Sequence, residues 1–350
     1  MLKDKKYKIS LYKWRGWVTL SIPLLVGVFV IFYALKTSLP SARSPVLFYS
    51  THNRDDLKLV LIHAIEKSQR SIHFRTYALT DLSILSLLKK KAEQGIDVHL
   101  YYHKNTSPKV HLLEGVHFYF YPFQGKGLMH EKLWIIDESQ IFFSSANITY
   151  SSLKIHENSI IGVYSPELAT ALVQSQNREI VHTIQEQTIR YFSLPSREAL
   201  DSLLKVLDQA KKRVDIFLFT FTHPHIVEKL IELHAKGIQI ELTIDAATAR
   251  GASKKAIVAL SQAGIVVHIS RGMQLFHHKW ALIDNDTLIF GSANWTRAAF
   301  CQNKDFIFLL SPLKKNQIKH LNSIIKNINK QHDSSVSSFV DKIYPTIKRA

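Results

Sequence analysis

The sequence predicts an α/β protein made of two similar halves, and three of its features lead there. Residues 71–80, SIHFRTYALT, lie over residues 213–222, RVDIFLFTFT, at an offset of 142 (213 minus 71). The same offset carries Gly95 and Ile96 onto Gly237 and Ile238, and residues 98–102 onto 240–244. Within each copy apolar strands alternate with amphipathic helices, the pattern of an α/β architecture. A short polar motif also occurs twice, once in each half.

The chain opens on a basic tail, residues 1–15, with Lys3, Lys5, Lys6, Lys8, Lys13 and Arg15 against Asp4 alone. Residues 16–35 carry no charge. As a helix they would extend roughly 30 Å, the thickness of a bilayer core. Trp14, Trp17 and Tyr33 stand near the two ends, where amphipathic rings settle, and Pro23 is tolerated in a membrane helix. We expect a single transmembrane signal anchor. The stronger basic flank comes first, which puts the N-terminus in the cytoplasm and the body across the membrane. A cleaved secretion signal is the rival reading, although no clean small-x-small cleavage site precedes Pro45.

Residues 36–45 read as a linker, 46–188 as the first half and 189–350 as the second. Each half begins with an alternating strand and an amphipathic helix, at 82–94 and 225–236. Gly95 and Gly237 follow, where a left-handed cap is needed. Further strands come next, ending in continuous apolar runs at 133–136 and 280–283, as buried strands require. Helices are expected over 166–188 and 316–329. By the second motif the offset has grown to 147 (277 minus 130), so residues 246–255 form an extra loop.

A length of 350 residues with 46% hydrophobic content allows a large buried core. The formal charge of +17, from 45 basic and 28 acidic residues, favours anionic partners such as nucleic acid or acidic lipid headgroups. Cys301 is the one cysteine, so no internal disulfide forms and no Cys/His zinc cluster exists. It is expected to pack as a small hydrophobe.

The repeated motif carries the chemistry. One copy reads His130-Glu131-Lys132, four residues, Asp137, six residues, then Ser144-Ser145-Ala146-Asn147. The other reads His277-His278-Lys279, four residues, Asp284, six residues, then Gly291-Ser292-Ala293-Asn294. Alternate residues of a strand share a face, so His130 sides with Lys132 and His277 with Lys279. His278 then supports the other face. Two imidazoles, two ammoniums, two asparagines and the Ser145 and Ser292 hydroxyls suit phosphodiester cleavage. Lys132, Lys279, Asn147 and Asn294 can donate to the non-bridging oxygens as charge builds there. One neutral imidazole can attack phosphorus, and the other, protonated, can give its proton to the leaving alcohol. The lysines supply the positive charge, so no metal or cofactor is called for.

This pattern resembles the signature of the phospholipase D superfamily, H-x-K-x4-D-x6-G-S-x-N, from about residue 46 to the C-terminal helix. Ser144 stands where the signature has glycine, which a backbone of ordinary φ tolerates. The resemblance implies two pseudo-twofold-related α/β/α halves with one active site between them. It further implies His130 as nucleophile and His277 as general acid, although pseudo-symmetry permits the reverse. Family members place an acid some 25 to 30 residues after the motif histidine, which here points to Glu157 and Asp305 as orienters. Asp137 and Asp284 are expected to hold the motif loops.

For substrate, two apolar stretches adjoin the histidines: residues 118–123 with Leu128 and Met129, and Met273, Leu275 and Phe276. They read as core packing or as a rim that touches lipid. A tethered basic body favours a phospholipid, hydrolysed or transferred to another alcohol as in cardiolipin synthases. A membrane-anchored nuclease is the rival, since +17 with many aromatic residues also suits a single strand in a groove. A binding protein without turnover is a third reading. No obligate protein partner is implied.

Overall fold

The computed structural model describes residues 37–174 and 178–332. The basic tail and the expected membrane segment, residues 1–15 and 16–35, lie outside the described residues. Among the described residues no helix is long and apolar enough to cross a membrane.

The first half runs β1 (Val46–Ser50), α1 (Leu57–Lys67), β2 (Ser71–Thr76), α2 (Leu82–Glu93), β3 (Asp97–Tyr102), β4 (Phe118–Pro122), β5 (Lys132–Ile136), β6 (Gln140–Ser144), α3 (Tyr150–Lys154), β7 (Ser159–Tyr164) and α4 (Pro166–Gln174). A hairpin, β8 (Glu179–Ile184) and β9 (Gln187–Ser193), leads into α5 (Arg197–Asp208), β10 (Arg213–Leu218), α6 (Pro224–Ala235) and β11 (Gln239–Ile244). Then follow α7 (Ala246–Arg250), α8 (Lys254–Gln262), β12 (Val266–Ile269), β13 (Lys279–Ile283), β14 (Thr287–Gly291), α9 (Arg297–Cys301), β15 (Phe306–Ser311) and α10 (Lys315–His332).

The strands form two mixed sheets, ordered β1-β7-β6-β5-β2-β3-β4 and β12-β11-β10-β13-β14-β15-β9-β8. Read from β9, the second repeats the first strand for strand, and β8 is an addition. β2, β3 and β4 are parallel, as are β10, β11 and β12, while the motif strands β5 and β13 run antiparallel to β2 and β10. Leu133 and Ile135 of β5 share a central core with Trp280 and Leu282 of β13, together with α4 and α10. Trp134 and Ile136 point the other way, into a core with α1 and α2, and Ala281 and Ile283 into one with α5, α6 and α8. Burial on both faces is why these strands are apolar at every position.

Local signals fix the ends of elements. The Asp81 carboxylate caps α2 by accepting from Ser83 N and Ile84 N. Gly95 and Gly237, at φ 83° and 89°, end α2 and α6 as expected. Three expectations need correction. The helix read over 166–188 ends at Gln174, and residues 179–193 form the β8–β9 hairpin of the second sheet, so sheet membership changes before residue 188. Residues 246–255 are not a loop, because Asp245 caps a short helix there, accepting from Ala247 N and Thr248 N. Cys301 is exposed, not packed.

Candidate active site

His130 and His277 sit just ahead of β5 and β13, at the ends of strands that bury everything beyond them. Lys132 and Lys279 open those strands, and each Nζ donates to the carbonyl of its own histidine, at 2.7 Å and 2.9 Å. Both lysines are buried. Burial, the largest influence, pulls Lys132 down to about 7, against the opposing pull of Asp305 and Glu131. Lys279 is held well below its ordinary value by burial and then by Lys132.

Each histidine also meets an aromatic ring edge. Tyr77 lies 5.3 Å from His130 and Phe219 lies 4.8 Å from His277, centroid to centroid. Lys132 and Lys279 lie 5.6 Å and 5.3 Å from the same two rings. Tyr77 and Phe219 stand at aligned positions of the repeat (219 minus 77 is 142), the signal in the sequence that marks them as a pair.

The two halves are stitched together at the histidines. His130 N donates to Lys304 O at 2.7 Å, and His277 N donates to Glu157 O at 2.9 Å. The His130 Nδ1 donates to Asp305 Oδ1 at 2.8 Å, and Ser292 Oγ donates to the same oxygen at 2.7 Å. His277 Nδ1 meets Asn158 Oδ1 at 3.1 Å, with Ser145 Oγ donating to it at 2.8 Å. So Asp305 stands where the resemblance implied an orienting acid, and Glu157 does not. Asn158, one position further on, holds the place (305 minus 277 and 158 minus 130 are both 28). Matching the spacing within the chain, residue for residue, would have found it. Ser145 and Ser292 donate to Asn158 and Asp305, the partners of the histidines.

With Nδ1 donating, each ring turns a bare Nε2 lone pair away from its partner. Burial lowers the proton affinity of His130, opposed by Asp305 and assisted by Lys132 and Lys279. That of His277 falls well below the ordinary histidine value through burial, then Lys279, Lys132 and His130. Both histidines therefore feel both lysines, which puts the four groups within reach of one another. Asn147 and Asn294 follow β6 and β14, half-buried, each with its amide oxygen buried and unpartnered among the described residues.

Asp137 and Asp284 turn away from this chemistry. The carboxylate of Asp137 accepts from the backbone of Gln69, Arg70 and Ser71, and that of Asp284 from Lys211, Lys212 and Arg213. Each residue also opens its hairpin turn at φ 52°. Each thereby pins the motif hairpin to the start of the neighbouring strand. Gly291 has no left-handed φ, but a Cβ there would lie 2.4 Å from Phe306 O. Its requirement is close approach to the neighbouring strand; the first half has Ser144 there, whose hydroxyl accepts from Ala146 N at 2.9 Å.

Glu157 belongs to a separate buried cluster. Its carboxylate accepts from His332 Nε2 at 3.0 Å, Gln331 Nε2 at 2.6 Å and Gln274 Nε2 at 3.1 Å, with His52 Nε2 at 3.5 Å. Burial pushes this carboxyl up, but His332 and His52 outweigh it and hold it far below the usual range. The ligand atoms of His52, Glu157 and His332 fall within 4.8 Å of one another, close enough to attract a cation. However, Arg271 N donates to His332 Nδ1, so the ring proton sits on Nε2 and points at Glu157. His52 Nε2 stands 3.5 Å from the same carboxylate, with no hydrogen-bond partner among the described residues. His278 borders this cluster, its Nδ1 on Ser159 Oγ at 3.2 Å.

The profile of a family described as "Cardiolipin synthase, PLD-like domain" matches residues 61–180 and 203–328. The chain belongs to this phospholipase D-like family. The two matched stretches coincide with the two halves. A mitochondrial cardiolipin hydrolase of Chlamydomonas reinhardtii is 34% identical over 130 residues, covering 37% of this chain and 57% of that protein. The human mitochondrial cardiolipin hydrolase is 32% identical over 117 residues, 33% of this chain and 46% of that protein. The chain thus spans about half the length of the curated relatives it matches. The phosphatidylserine synthase of Haemophilus influenzae Rd KW20 superposes with a TM-score of 0.68 at 13% identity, over 89% of this chain and 94% of that one. At that identity the likeness concerns the phospholipase D-like fold.

Proposed function

We propose that the chain is a phospholipase D-type phosphodiesterase that acts on the phosphatidyl group of an anionic phospholipid through a phosphohistidine. One observation carries this reading: two buried histidines from different halves, each with Nδ1 held by the opposite half, share a pocket with two buried lysines. The lysines offset the phosphate charge, so the reaction proceeds without a metal. One Nε2 attacks phosphorus while the other delivers a proton to the leaving alcohol, then takes one from water or an acceptor alcohol. The names of the cardiolipin hydrolases and the excess of basic residues favour cardiolipin as the phospholipid. The uncharged stretch at 16–35, behind its basic tail, favours a body anchored on the far side of a membrane from that tail.

The test offers the full chain, with EDTA present, vesicles of cardiolipin, vesicles of phosphatidylcholine, and single-stranded DNA. Phosphatidate released from cardiolipin, and lost in His130→Ala, is the expected result. Cleavage of DNA alone would overturn the substrate, and activity only with added divalent metal would overturn the mechanism.

A further inference from the structure

The two motif histidines are held at Nδ1 in matching ways, and the residue that holds each differs. Asn158 and Asp305 each accept from a motif serine and from the histidine of the opposite half. The Asn158 amide is oriented by its other end, because Nδ2 donates to Ser152 O at 2.9 Å and a carbonyl can only accept. Asn158 Oδ1 therefore faces His277, whose Nδ1 donates. The second oxygen of Asp305 is buried with no hydrogen-bond partner among the described residues. One histidine is thus backed by a carboxylate and the other by a neutral amide of nearly the same shape.

We propose that Asn158 is a positioning residue that makes the pair unequal: it confines His277 to the general acid–base role and leaves the nucleophilic role to His130. This rests on the phosphodiesterase reading above. In the first step the His130 Nε2 lone pair forms the N–P bond. The P–O bond to the leaving alcohol breaks, and that oxygen takes the Nε2 proton of His277. The His130 ring becomes cationic as the bond forms, and Asp305 faces that charge. Were His277 to attack, its cation would face only an amide dipole. In the second step His277 Nε2 takes a proton from water, the water oxygen bonds to phosphorus, and the N–P bond breaks.

The same amide governs when His277 is charged. Lys279, Lys132, His130 and His156 bear on its ring, all disfavouring the proton, and Phe219 packs its edge against it. The negative charge that would retain a proton there comes from the phosphodiester itself. His277 is accordingly neutral in the free protein and is loaded as the anionic substrate binds.

The experiment locates the phosphoryl adduct by alkaline quench and peptide mass spectrometry, using the full chain turning over cardiolipin in mixed micelles. The wild type should carry it on His130. The exchange variant Asn158→Asp/Asp305→Asn should carry it on His277. Asn158→Asp alone should move the alkaline limb of the kcat/KM profile up by about 1–3 pH units, because a carboxylate now favours the protonated ring. This single variant keeps the test decisive if the exchange variant fails to fold. An adduct on His277 in the wild type, an adduct remaining on His130 in the exchange variant, or an unmoved limb in the single variant would each overturn the inference. An adduct on neither ring of the wild type would instead overturn the phosphohistidine reading on which it rests.

Discussion

The two halves of this chain agree where the backbone is held and differ where protons are held. Asp137 and Asp284 pin their hairpins through the same three-residue backbone contact. Tyr77 and Phe219, and the paired Lys–carbonyl bonds, also repeat. At several aligned positions the polar chemistry diverges, among them three pairs around the site, each separated by 147: Asn158 against Asp305, Glu131 against His278, and Glu157 against Lys304. Glu131 lies 3.7 Å from Arg75 and 3.9 Å from Lys304, at the base of a cleft of about 470 Å³ walled by Tyr101, Tyr121 and Phe123. On the His278 side, the end of α10 brings Gln331 and His332 onto Glu157. A duplicated scaffold keeps two equal strand pairs, while a single chain is free to give its two half-sites different charges.

The largest effects should come from the histidines, and they should be unequal in kind. His130→Ala and His277→Ala should each lower turnover of cardiolipin by about 10⁴-fold or more. A substrate with a nitrophenol leaving group needs no proton at the departing oxygen. It should recover formation of the phosphoenzyme in His277→Ala and none in His130→Ala. Equal recovery in both would mean that the half-sites are interchangeable.

Next come the residues behind the rings. Asp305→Ala removes the charge that faces the forming imidazolium and should cost about 10³-fold in kcat, whereas Asn158→Ala removes a dipole and should cost nearer tenfold. Steady-state kinetics on folded protein would separate them. Comparable losses would place the asymmetry somewhere other than these two side chains.

How far the sequence discloses this arrangement depends on the range of the interaction. The repeat and the motif spacing announce the α/β halves and the pairing of His130 with Lys132, because strand periodicity acts between neighbours. Asn158 escaped because a spacing window of several residues admits the acid beside it, and Glu157 is the more conspicuous of the two. The partners of Glu157 could not be read at all, since His52 and His332 reach it from opposite ends of the chain. Residues 179–188 of the hairpin read as helix because Pro166–Gln174 is truly helical and no proline or glycine interrupts residues 167–188.

Stability should divide along the same lines. Asp137→Ala and Asp284→Ala should each cost about 1–3 kcal/mol in urea unfolding, since each frees backbone donors at a strand start. Unequal costs would show that the two pins have diverged. Glu157 has no acidic counterpart in the other half, and Glu157→Gln should bring in a pH dependence. Its carboxyl is held below its unfolded value, so the stability it gives is fully present above about pH 4.3 and is lost as pH falls below that. The wild type should therefore exceed Glu157→Gln by about 1–3 kcal/mol at pH 7, and the gap should close on acidification. A gap of the same size at pH 3 as at pH 7 would mean that the cluster holds α10 by shape and not by charge.

The smallest effect is expected at the one ring pair that differs by a single oxygen. Tyr77 and Phe219 occupy aligned positions and present the same edge to a histidine and the same face toward a lysine. If the ring is what each half-site uses, Tyr77→Phe should change kcat by less than about twofold, and Tyr77→Ala by roughly tenfold through loss of the contact with Lys132. The second half already does without the hydroxyl, so the chain itself contains the control. A hundredfold loss in Tyr77→Phe would overturn that equivalence. It would put the phenol among the donors to the substrate phosphate and add a further divergent position, on the side of the pocket where His130 attacks.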